Sequence, residues 1–123
     1  MFDHVQIKVA DLLRATAFYK AVLDVLGHRV VLDIDGVVVG IGRTPHDMLE
    51  LRKAGPTAPL STSVHLAFVA DSREAVDRFY EVALDSGATC NGAPGPRPDY
   101  EPGYYAAFVL DPDGHNLEAV FLL

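Results

Sequence analysis

The stretch that decides the fold occurs twice: residues 4–27 read HVQIKVADLLRATAFYKAVLDVLG, and residues 65–87 read HLAFVADSREAVDRFYEVALDSG. Each copy opens on a histidine at the start of a strand-like segment, continues into a helical stripe that carries a Phe-Tyr pair, and ends at a glycine. One residue of slip, near Asp11 and Asp71, aligns both ends. The repetition predicts two related structural units of about 60 residues each.

The segments after each predicted helix complete the two units. Three strand-like segments follow the first helix, at residues 28–34, 35–42 and 47–52. The dipeptide Asp35-Gly36 is typical of a tight hairpin turn. In the second copy the Gly/Pro-rich segment 91–103 predicts a loop in place of a compact hairpin. Two further strands are predicted around a type I turn at Asp111-Pro112-Asp113-Gly114, at residues 104–110 and 115–123.

The predicted fold class is α+β, with two βαβββ repeats. The first repeat covers about residues 1–53, the second about 64–123, and a connector at 54–63 joins them. Asp11 is placed to cap the first helix, because it directly precedes the apolar helical stripe. We expect residues 1–123 to form a single domain, since one repeat alone is small for a stable core.

Composition narrows the classes of function. Half of the residues are hydrophobic, which predicts a globular protein, and the formal net charge of −7 argues against a nucleic-acid partner. No apolar run approaches the roughly 20 residues of a membrane span, so no membrane partner is expected. Cys90 is the single cysteine, which excludes an intrachain disulfide. Without a secretory signal pattern at the start, the sequence favours the cytoplasm.

Strand parity places two histidines and two glutamates on one type of sheet face. His4 and His65 each alternate with apolar neighbours on the first strand of a repeat, while Glu50 and Glu118 lie on the last strands. Two imidazoles and two carboxylates suit a divalent first-row metal ion. Taken singly, a strand histidine is more often hydrogen-bonded and a glutamate more often solvated. The matched pair in both repeats favours a metal site.

The pattern as a whole resembles the vicinal oxygen chelate superfamily, which includes glyoxalase I, bleomycin resistance proteins and ring-cleaving dioxygenases. The resemblance rests on the paired βαβββ units, the histidine that opens each first strand, the Phe-Tyr helix ending near Leu26-Gly27, and the segment 111–118 with its DPDG turn and glutamate. It implies that the repeats form a cup of curved mixed sheet with the helices on its outer face. It also implies that His4, Glu50, His65 and Glu118 bind a divalent ion, one of Zn, Ni, Mn, Co or Fe.

The resemblance further implies an activity and an assembly. Two vicinal oxygens of a small-molecule substrate would displace water from the ion, which would stabilise an enediolate or another oxyanion. Glu118 or Glu50 would be the catalytic base, so the activity would be that of a glyoxalase-like lyase or isomerase. In small members of the superfamily two chains share their ligands, which leads us to expect a homodimer.

Candidate substrate-binding residues follow from the same faces and from the Gly/Pro-rich segment. Lys8 shares the face of His4, where glyoxalase I enzymes tend to carry an Arg that binds glutathione, but the segment 50–55 lacks the Asn that those enzymes place after the fourth-strand acid. Arg97 is suited to a substrate carboxylate or phosphate. A solvated role for Arg97 and a packing role for the tyrosines are the alternatives. The predicted substrate wall consists of Arg97, Tyr100, Tyr104 and Tyr105.

Two other functions remain open from the sequence. A bleomycin-resistance-type binding protein would hold a cationic small molecule in a dimer groove without a metal, and the net charge of −7 suits it. A metal-free domain with residual ligands is the other alternative. The complete set of two His and two Glu favours the enzyme over both, and metal analysis separates them. Three more histidines lie near turns or strand ends and are predicted at the surface: His28, His46 and His115.

Overall fold

A computed structural model describes all residues from 1 to 123. The chain divides into two compact units, residues 1–62 and 63–123. Each unit has the order βαβββ and builds one four-stranded mixed sheet with one helix. The predicted α+β fold with two βαβββ repeats is therefore confirmed, while the prediction that they form a single domain stays a prediction.

The first unit contains β1 (His4–Val9), α1 (Leu12–Asp24), β2 (Arg29–Ile34), β3 (Val38–Gly42) and β4 (Met48–Lys53). Its sheet has the order β1-β4-β3-β2, in which only β1 and β4 are parallel. Asp11 caps α1 as predicted, because its carboxylate accepts a hydrogen bond from the Arg14 amide at 3.1 Å. The predicted turn at Asp35-Gly36 joins β2 to β3, and Gly36 supplies its positive φ of 70°.

The second unit repeats this topology with β5 (His65–Val69), α2 (Arg73–Asp85), β6 (Thr89–Pro96), β7 (Tyr104–Leu110) and β8 (Asn116–Leu122). Its sheet has the order β5-β8-β7-β6, and β5 is parallel to β8. The predicted turn between β7 and β8 is present, since the Gly114 amide donates to the Asp111 carbonyl at 2.9 Å.

Each helix packs on the sheet of its own unit. In the first unit Ile7 and Val9 of β1 are buried together with Phe18 and Tyr19 of α1. In the second unit the rings of Phe68 on β5 and Phe79 on α2 lie 6.4 Å apart. The apolar residues that alternate with His4 and His65 thus belong to the core beneath the helices. Both histidines project from the opposite sheet face, as the parity of the strands predicted.

The prediction of a loop at residues 91–103 is wrong over its first part, because residues 91–96 belong to β6. Pro94 and Pro96 are compatible with this strand since β6 is the edge of its sheet, where a missing amide breaks no inner ladder. The pairing with β7 shifts register on both sides of Gly92. The Gly/Pro-rich composition of residues 91–96 thus belongs to an irregular edge strand rather than to a loop. Only residues 97–103 connect β6 to β7.

The prediction that His115 lies at the surface is also wrong. His115 is only 1% exposed, and its amide donates to the Asp111 carboxylate at 2.8 Å. The imidazole of His115 is buried because of the conformation of the turn. A position next to a turn in the sequence does not indicate whether the side chain is buried or exposed. His46 is exposed as expected, and His28 is half-buried. Neither helix is long and apolar enough to cross a membrane.

Candidate functional site

His65 and Glu118 form a side-chain pair on the helix-free face of the second sheet. Glu118 lies opposite Ala67 in the register of the parallel strands β5 and β8. His65 therefore lies two residues before the position that faces Glu118. His65 Nε2 lies 3.2 Å from Glu118 Oε1. His65 Nδ1 lies 2.9 Å from the backbone oxygen of Asn116, and because a carbonyl oxygen only accepts hydrogen bonds, Nδ1 carries a proton. Nε2 faces the carboxylate oxygen, where either a proton or a metal cation would join the two atoms.

Tyr104 holds the other oxygen of Glu118. Its hydroxyl donates a hydrogen bond to Glu118 Oε2. Burial raises the pKa of Tyr104 to about 12, and the hydrogen bond to Glu118 adds to the effect. Tyr104 therefore stays protonated at neutral pH and acts as a fixed donor. Because Glu118 is only 3% exposed, this donor also compensates part of the cost of burying a carboxylate.

His4 and Glu50 occupy the corresponding positions of the first unit. Gln6 faces Glu50 in the register of β1 and β4, so His4 is again two residues upstream. The Gln6 amide donates to Glu50 Oε1 at 3.0 Å. His4 Nδ1 lies 2.8 Å from Asp3 Oδ1, and this hydrogen bond, followed by the negative charge of Glu50, raises the pKa of His4. The pair thus recurs with the same register in both units.

Lys8 joins the first pair through Gln6. Its ammonium group donates to Gln6 Oε1, while the Gln6 amide donates to Glu50. Lys8 therefore lies on the face of His4, as the parity of β1 predicted. The neutral Gln6 side chain thus links the Lys8 ammonium group to the Glu50 carboxylate. Gln6 orients this carboxylate, and Lys8 forms no ion pair with it.

The geometry of the second pair fits two ligands of one metal ion. Two donors bound at about 2.0–2.1 Å to a tetrahedral ion lie roughly 3.3 Å apart. The separation of 3.2 Å between His65 Nε2 and Glu118 Oε1 agrees with this value. The structure contains no group of three or more His, Cys, Asp and Glu side chains that would hold a metal. Of the four predicted ligands, His65 and Glu118 are in contact, whereas His4 bonds to Asp3 and Glu50 bonds to Gln6. A complete coordination sphere needs more donors than His65 and Glu118 supply.

A cavity of about 280 Å³ is lined in part by Phe108 and Asn116, which lie opposite Glu118 and His65 in the strand register. Phe108 on β7 faces Glu118 across the strands, and its ring stacks on His65 with centroids 6.3 Å apart. The exposed Tyr100 packs its ring edge-on to Tyr104, 5.0 Å away. The lining consists of Asn91, Gly92, Arg97, Tyr100, Phe108 and Asn116. Two of the predicted substrate-binding residues, Arg97 and Tyr100, thus belong to this wall.

The position of Tyr105 contradicts its predicted place in the substrate wall. The Tyr105 hydroxyl donates to Asp77 on α2 at 2.6 Å, and the Arg73 guanidinium lies 5.0 Å from the centre of its ring. Tyr105 thus faces the helix, because neighbouring residues of a strand point to opposite faces. The same alternation identifies Phe108 as a wall residue through its shared parity with Tyr104. Alternation along residues 104–110 of the sequence is the signal that separates Tyr105 from Tyr104 and Phe108.

The comparison with known protein families agrees with this architecture. The family model described as Glyoxalase/Bleomycin resistance protein/Dioxygenase superfamily matches residues 1–119. The chain belongs to this superfamily. Among curated proteins no match is found. Membership establishes the βαβββ pairs as a glyoxalase fold.

Solved structures of superfamily proteins resemble this glyoxalase-fold chain over nearly its full length. A glyoxalase/bleomycin resistance protein from Albidiferax ferrireducens T118 is 29% identical, with 98% of each chain covered and a TM-score of 0.85. A lactoylglutathione lyase from Agrobacterium tumefaciens is 25% identical, covers 98% of this chain and 92% of its own, and has a TM-score of 0.68. A superfamily enzyme from Burkholderia phytofirmans PsJN, 22% identical with 98% of each chain covered and a TM-score of 0.75, shares the fold.

Proposed function

We propose that this superfamily member is a metal-dependent lyase or isomerase of the glyoxalase type, acting on a small substrate with two vicinal oxygens. The observation that carries the proposal is the pair formed by His65 and Glu118. The Nε2 atom of His65 lies 3.2 Å from an oxygen of the buried Glu118 carboxylate, and a divalent cation bound by both atoms would balance the carboxylate charge. The matching register of His4 and Glu50 supports a second pair of ligands.

The donor set determines what such an ion would contribute. Two neutral imidazoles and two carboxylates balance the charge of one divalent ion of Zn, Ni, Mn, Co or Fe. A bound ion would act as a Lewis acid toward the vicinal oxygens of the substrate. The choice among these metals does not follow from nitrogen and oxygen donors alone, since the same ligands accept all of them.

The protein side chains would position the substrate and transfer its proton. Glu118 is the catalytic base in this proposal, because Tyr104 holds Oε2, whereas Oε1, which would also be the metal-binding atom, has a second lone pair that would accept the proton. Glu50 is the alternative base, held in the same way by Gln6. Lys8, Arg97, Tyr100 and Tyr104 are proposed to surround the substrate, with Tyr104 acting mainly through the orientation of Glu118.

A homodimer and a cytoplasmic location belong to the same proposal. The superfamily resemblance implies that small members pair so that ligands from two chains complete each metal site. Because each unit presents one His–Glu pair, such sharing accounts for the absence of any larger ligand group. The cytoplasmic location rests on the single cysteine, Cys90, which is exposed and unpaired.

The competing function is a metal-free binding protein of the bleomycin resistance type. The observation in its favour is that the possible ligands form pairs rather than a group of three or more. The net charge of −7 would favour a cationic small molecule. The aromatic surface of Tyr100 and Phe108 beside the cavity suits such a ligand as well as a substrate.

Metal analysis after purification without chelator tests the proposal. We expect about one divalent ion per wild-type chain, and at least a tenfold loss of metal affinity in His65→Ala, because truncating a ligand removes a coordinate bond. Glu118→Gln should abolish turnover in a screen of hemithioacetals, epoxides and acyl-CoA epimers while the protein stays folded by circular dichroism. The matched control is Glu81→Gln, which makes the same chemical change at an exposed position on α2.

The outcomes separate the two functions. Metal content that depends on His65, together with turnover that depends on Glu118, supports the enzyme. A folded wild-type protein that takes up no ion even when Zn²⁺ is added overturns the proposal and favours the binding protein. Unchanged turnover in Glu118→Gln would refute the role of Glu118 as the base.

A further inference from the structure

We infer that the cavity beside His65 and Glu118 binds an anionic group, a carboxylate or a phosphate, joined to a flat apolar portion of the substrate. Arg97 is the anion-binding residue, and the exposed ring of Tyr100 contacts the flat portion. The identification of the ligand as a substrate rests on the proposed function. The anion site itself consists of protein groups only and does not require the metal.

Arg97 carries a positive charge that no acid in the structure neutralises. Its guanidinium donates to the carbonyl oxygens of Gly95 at 2.9 Å and Ala93 at 2.8 Å. The Pro96 carbonyl oxygen, at 3.4 Å, is a third acceptor. All three acceptors are neutral, and every ion pair in the structure involves a histidine rather than an arginine. In a chain with 17 acidic residues, a half-buried guanidinium without a carboxylate partner is available to an anionic ligand.

Two glycines make room for the Arg97 guanidinium. A Cβ atom at Gly92 would lie 3.3 Å from Arg97 Nη2 and 3.1 Å from Phe108 Cδ1, and one at Gly95 would lie 3.2 Å from Arg97 Nη1. Larger residues at either position would therefore push the guanidinium from its place. Together with the carbonyl acceptors, this close fit holds Arg97 in one orientation, which lowers the entropy cost of binding an anion.

The surroundings of Arg97 define the rest of the ligand. The guanidinium carbon lies 5.4 Å from the centre of the Phe108 ring, and the Tyr100 ring lies 6.5 Å from Phe108 at 89°. Phe108 is only 9% exposed, whereas Tyr100 is 60% exposed and its ring offers apolar surface next to the charge. The cavity of about 280 Å³ has the volume of roughly nine water molecules at ~30 Å³ each, which suits a small aryl or enol group.

Asn116 connects the anion site to the proposed metal ligands. Asn91 Nδ2 donates to Asn116 Oδ1 at 3.2 Å, which leaves the Asn116 amide nitrogen as a further donor on the cavity wall. The Asn116 backbone oxygen lies 2.9 Å from His65 Nδ1. A substrate bound by Arg97 would therefore extend along β8 toward His65 and Glu118.

Benzoate and benzamide are the probes that test the inference, since they share a ring and differ in charge. The protein is dialysed against EDTA, and binding is followed by amide and arginine Nε chemical shifts in NMR titrations. We expect benzoate to bind at least tenfold more tightly than benzamide, with the Arg97 Nε signal shifting for benzoate. Phenyl phosphate, titrated in parallel, assigns the preferred anion by its affinity relative to benzoate.

Variants locate the effect at Arg97. Arg97→Gln should weaken benzoate at least tenfold and leave benzamide unchanged. Arg78→Gln removes the same charge from an exposed position on α2 and should bind benzoate like the wild type. If Arg97→Gln fails to fold, because Arg97 also joins carbonyl groups of β6, the wild-type Arg97 Nε shift decides alone.

Either of two results would overturn the inference: equal affinities for benzoate and benzamide, or an Arg97 Nε signal that benzoate does not move. Because the titration uses metal-free protein, it is independent of the test of the proposed function. Anion binding at Arg97 in a protein that takes up no metal would refute the proposed metal-dependent enzyme and support the anion site. Metal uptake by a protein that binds benzoate and benzamide equally would support the enzyme and refute the anion site.

Discussion

At the scale of single residues, the buried Glu118 depends on groups contributed by other strands. One oxygen accepts a hydrogen bond from Tyr104 on β7, and the other faces His65 on β5. Neutral donors such as Tyr104 orient a carboxylate without cancelling its charge, so that it remains available to a cation. Glu50 has the same kind of support from Gln6.

Removing the Tyr104 hydroxyl tests this support. Tyr104→Phe should weaken Zn²⁺ binding by roughly tenfold to a hundredfold, because outer donors fix the orientation of a metal ligand. The affinity is measured by competition with a chromophoric chelator. Tyr100→Phe is the matched control, since Tyr100 lies in the same wall but its hydroxyl makes no hydrogen bond to Glu118. Equal Zn²⁺ affinity in Tyr104→Phe and the wild type would contradict the role of Tyr104.

At the scale of elements, the two units share a register but differ in what surrounds each pair. In both units, the position that faces the glutamate comes two residues after the histidine. Across from the glutamate, however, β3 presents Gly40 where β7 presents Phe108. The aromatic wall therefore belongs to the second unit alone. The two units therefore agree in the register of His and Glu and differ in the residue of the third strand that faces the glutamate.

The turn between β3 and β4 gives a pH prediction. Asp47 accepts hydrogen bonds from the amides of Thr44 at 2.7 Å and Arg43 at 3.0 Å, and these bonds, that of Thr44 foremost, lower its pKa. A folded-state pKa below the unfolded value stabilises the protein above the ordinary value of 3.8, and this contribution is lost as the pH falls through the folded pKa. Asp47→Asn should therefore be less stable than the wild type at neutral pH.

Urea unfolding at neutral and acidic pH measures this contribution. The difference in free energy of unfolding between wild type and Asp47→Asn should shrink as the pH falls below 3.8. Asp24→Asn removes an exposed carboxylate at the end of α1 and is the control for the change in net charge. A difference between wild type and Asp47→Asn that stays constant with pH would show that the Asp47 charge does not support the turn.

At the scale of the whole molecule, the helix-free face of the second sheet, which carries His65 and Glu118, exposes apolar side chains. Val69, on the face of His65, is 74% exposed, and Leu122, on the face of Glu118, is 51% exposed. Adjoining apolar side chains on an exposed sheet face favour contact with another protein surface. This observation supports the expected homodimer, in which a second chain would cover them.

Light scattering after gel filtration tests the dimer. We expect a mass of twice the 13.3 kDa of one chain for the wild type, and a shift toward 13.3 kDa for Val69→Lys, because a buried ammonium group is costly at an interface. Leu13→Lys is the control, since Leu13 is 85% exposed but lies on α1. A wild-type mass of 13.3 kDa at high concentration would exclude the homodimer.

Local patterns predicted the elements of the fold and the faces of its functional residues. The alternation around His4 and the residues that flank His65 determined which side chains point away from the helices, because strand parity is a property of a few neighbouring residues. Asp11 and Asp35-Gly36 marked a helix start and a turn for the same reason. The edge strand β6 escaped prediction because its Gly/Pro-rich sequence is also that of a loop, and only its pairing with β7 distinguishes the two.

The sequence by itself determined that the chain consists of two βαβββ units, each with one histidine and one glutamate on the same kind of sheet face. Only the tertiary structure decided that Tyr104 holds Glu118, that Arg97 binds backbone carbonyls beside Phe108, and that His115 is buried. The physical reason is range. Propensity and parity act between neighbours in the chain, whereas these contacts depend on strand register and turn geometry, which the packing of the whole unit sets.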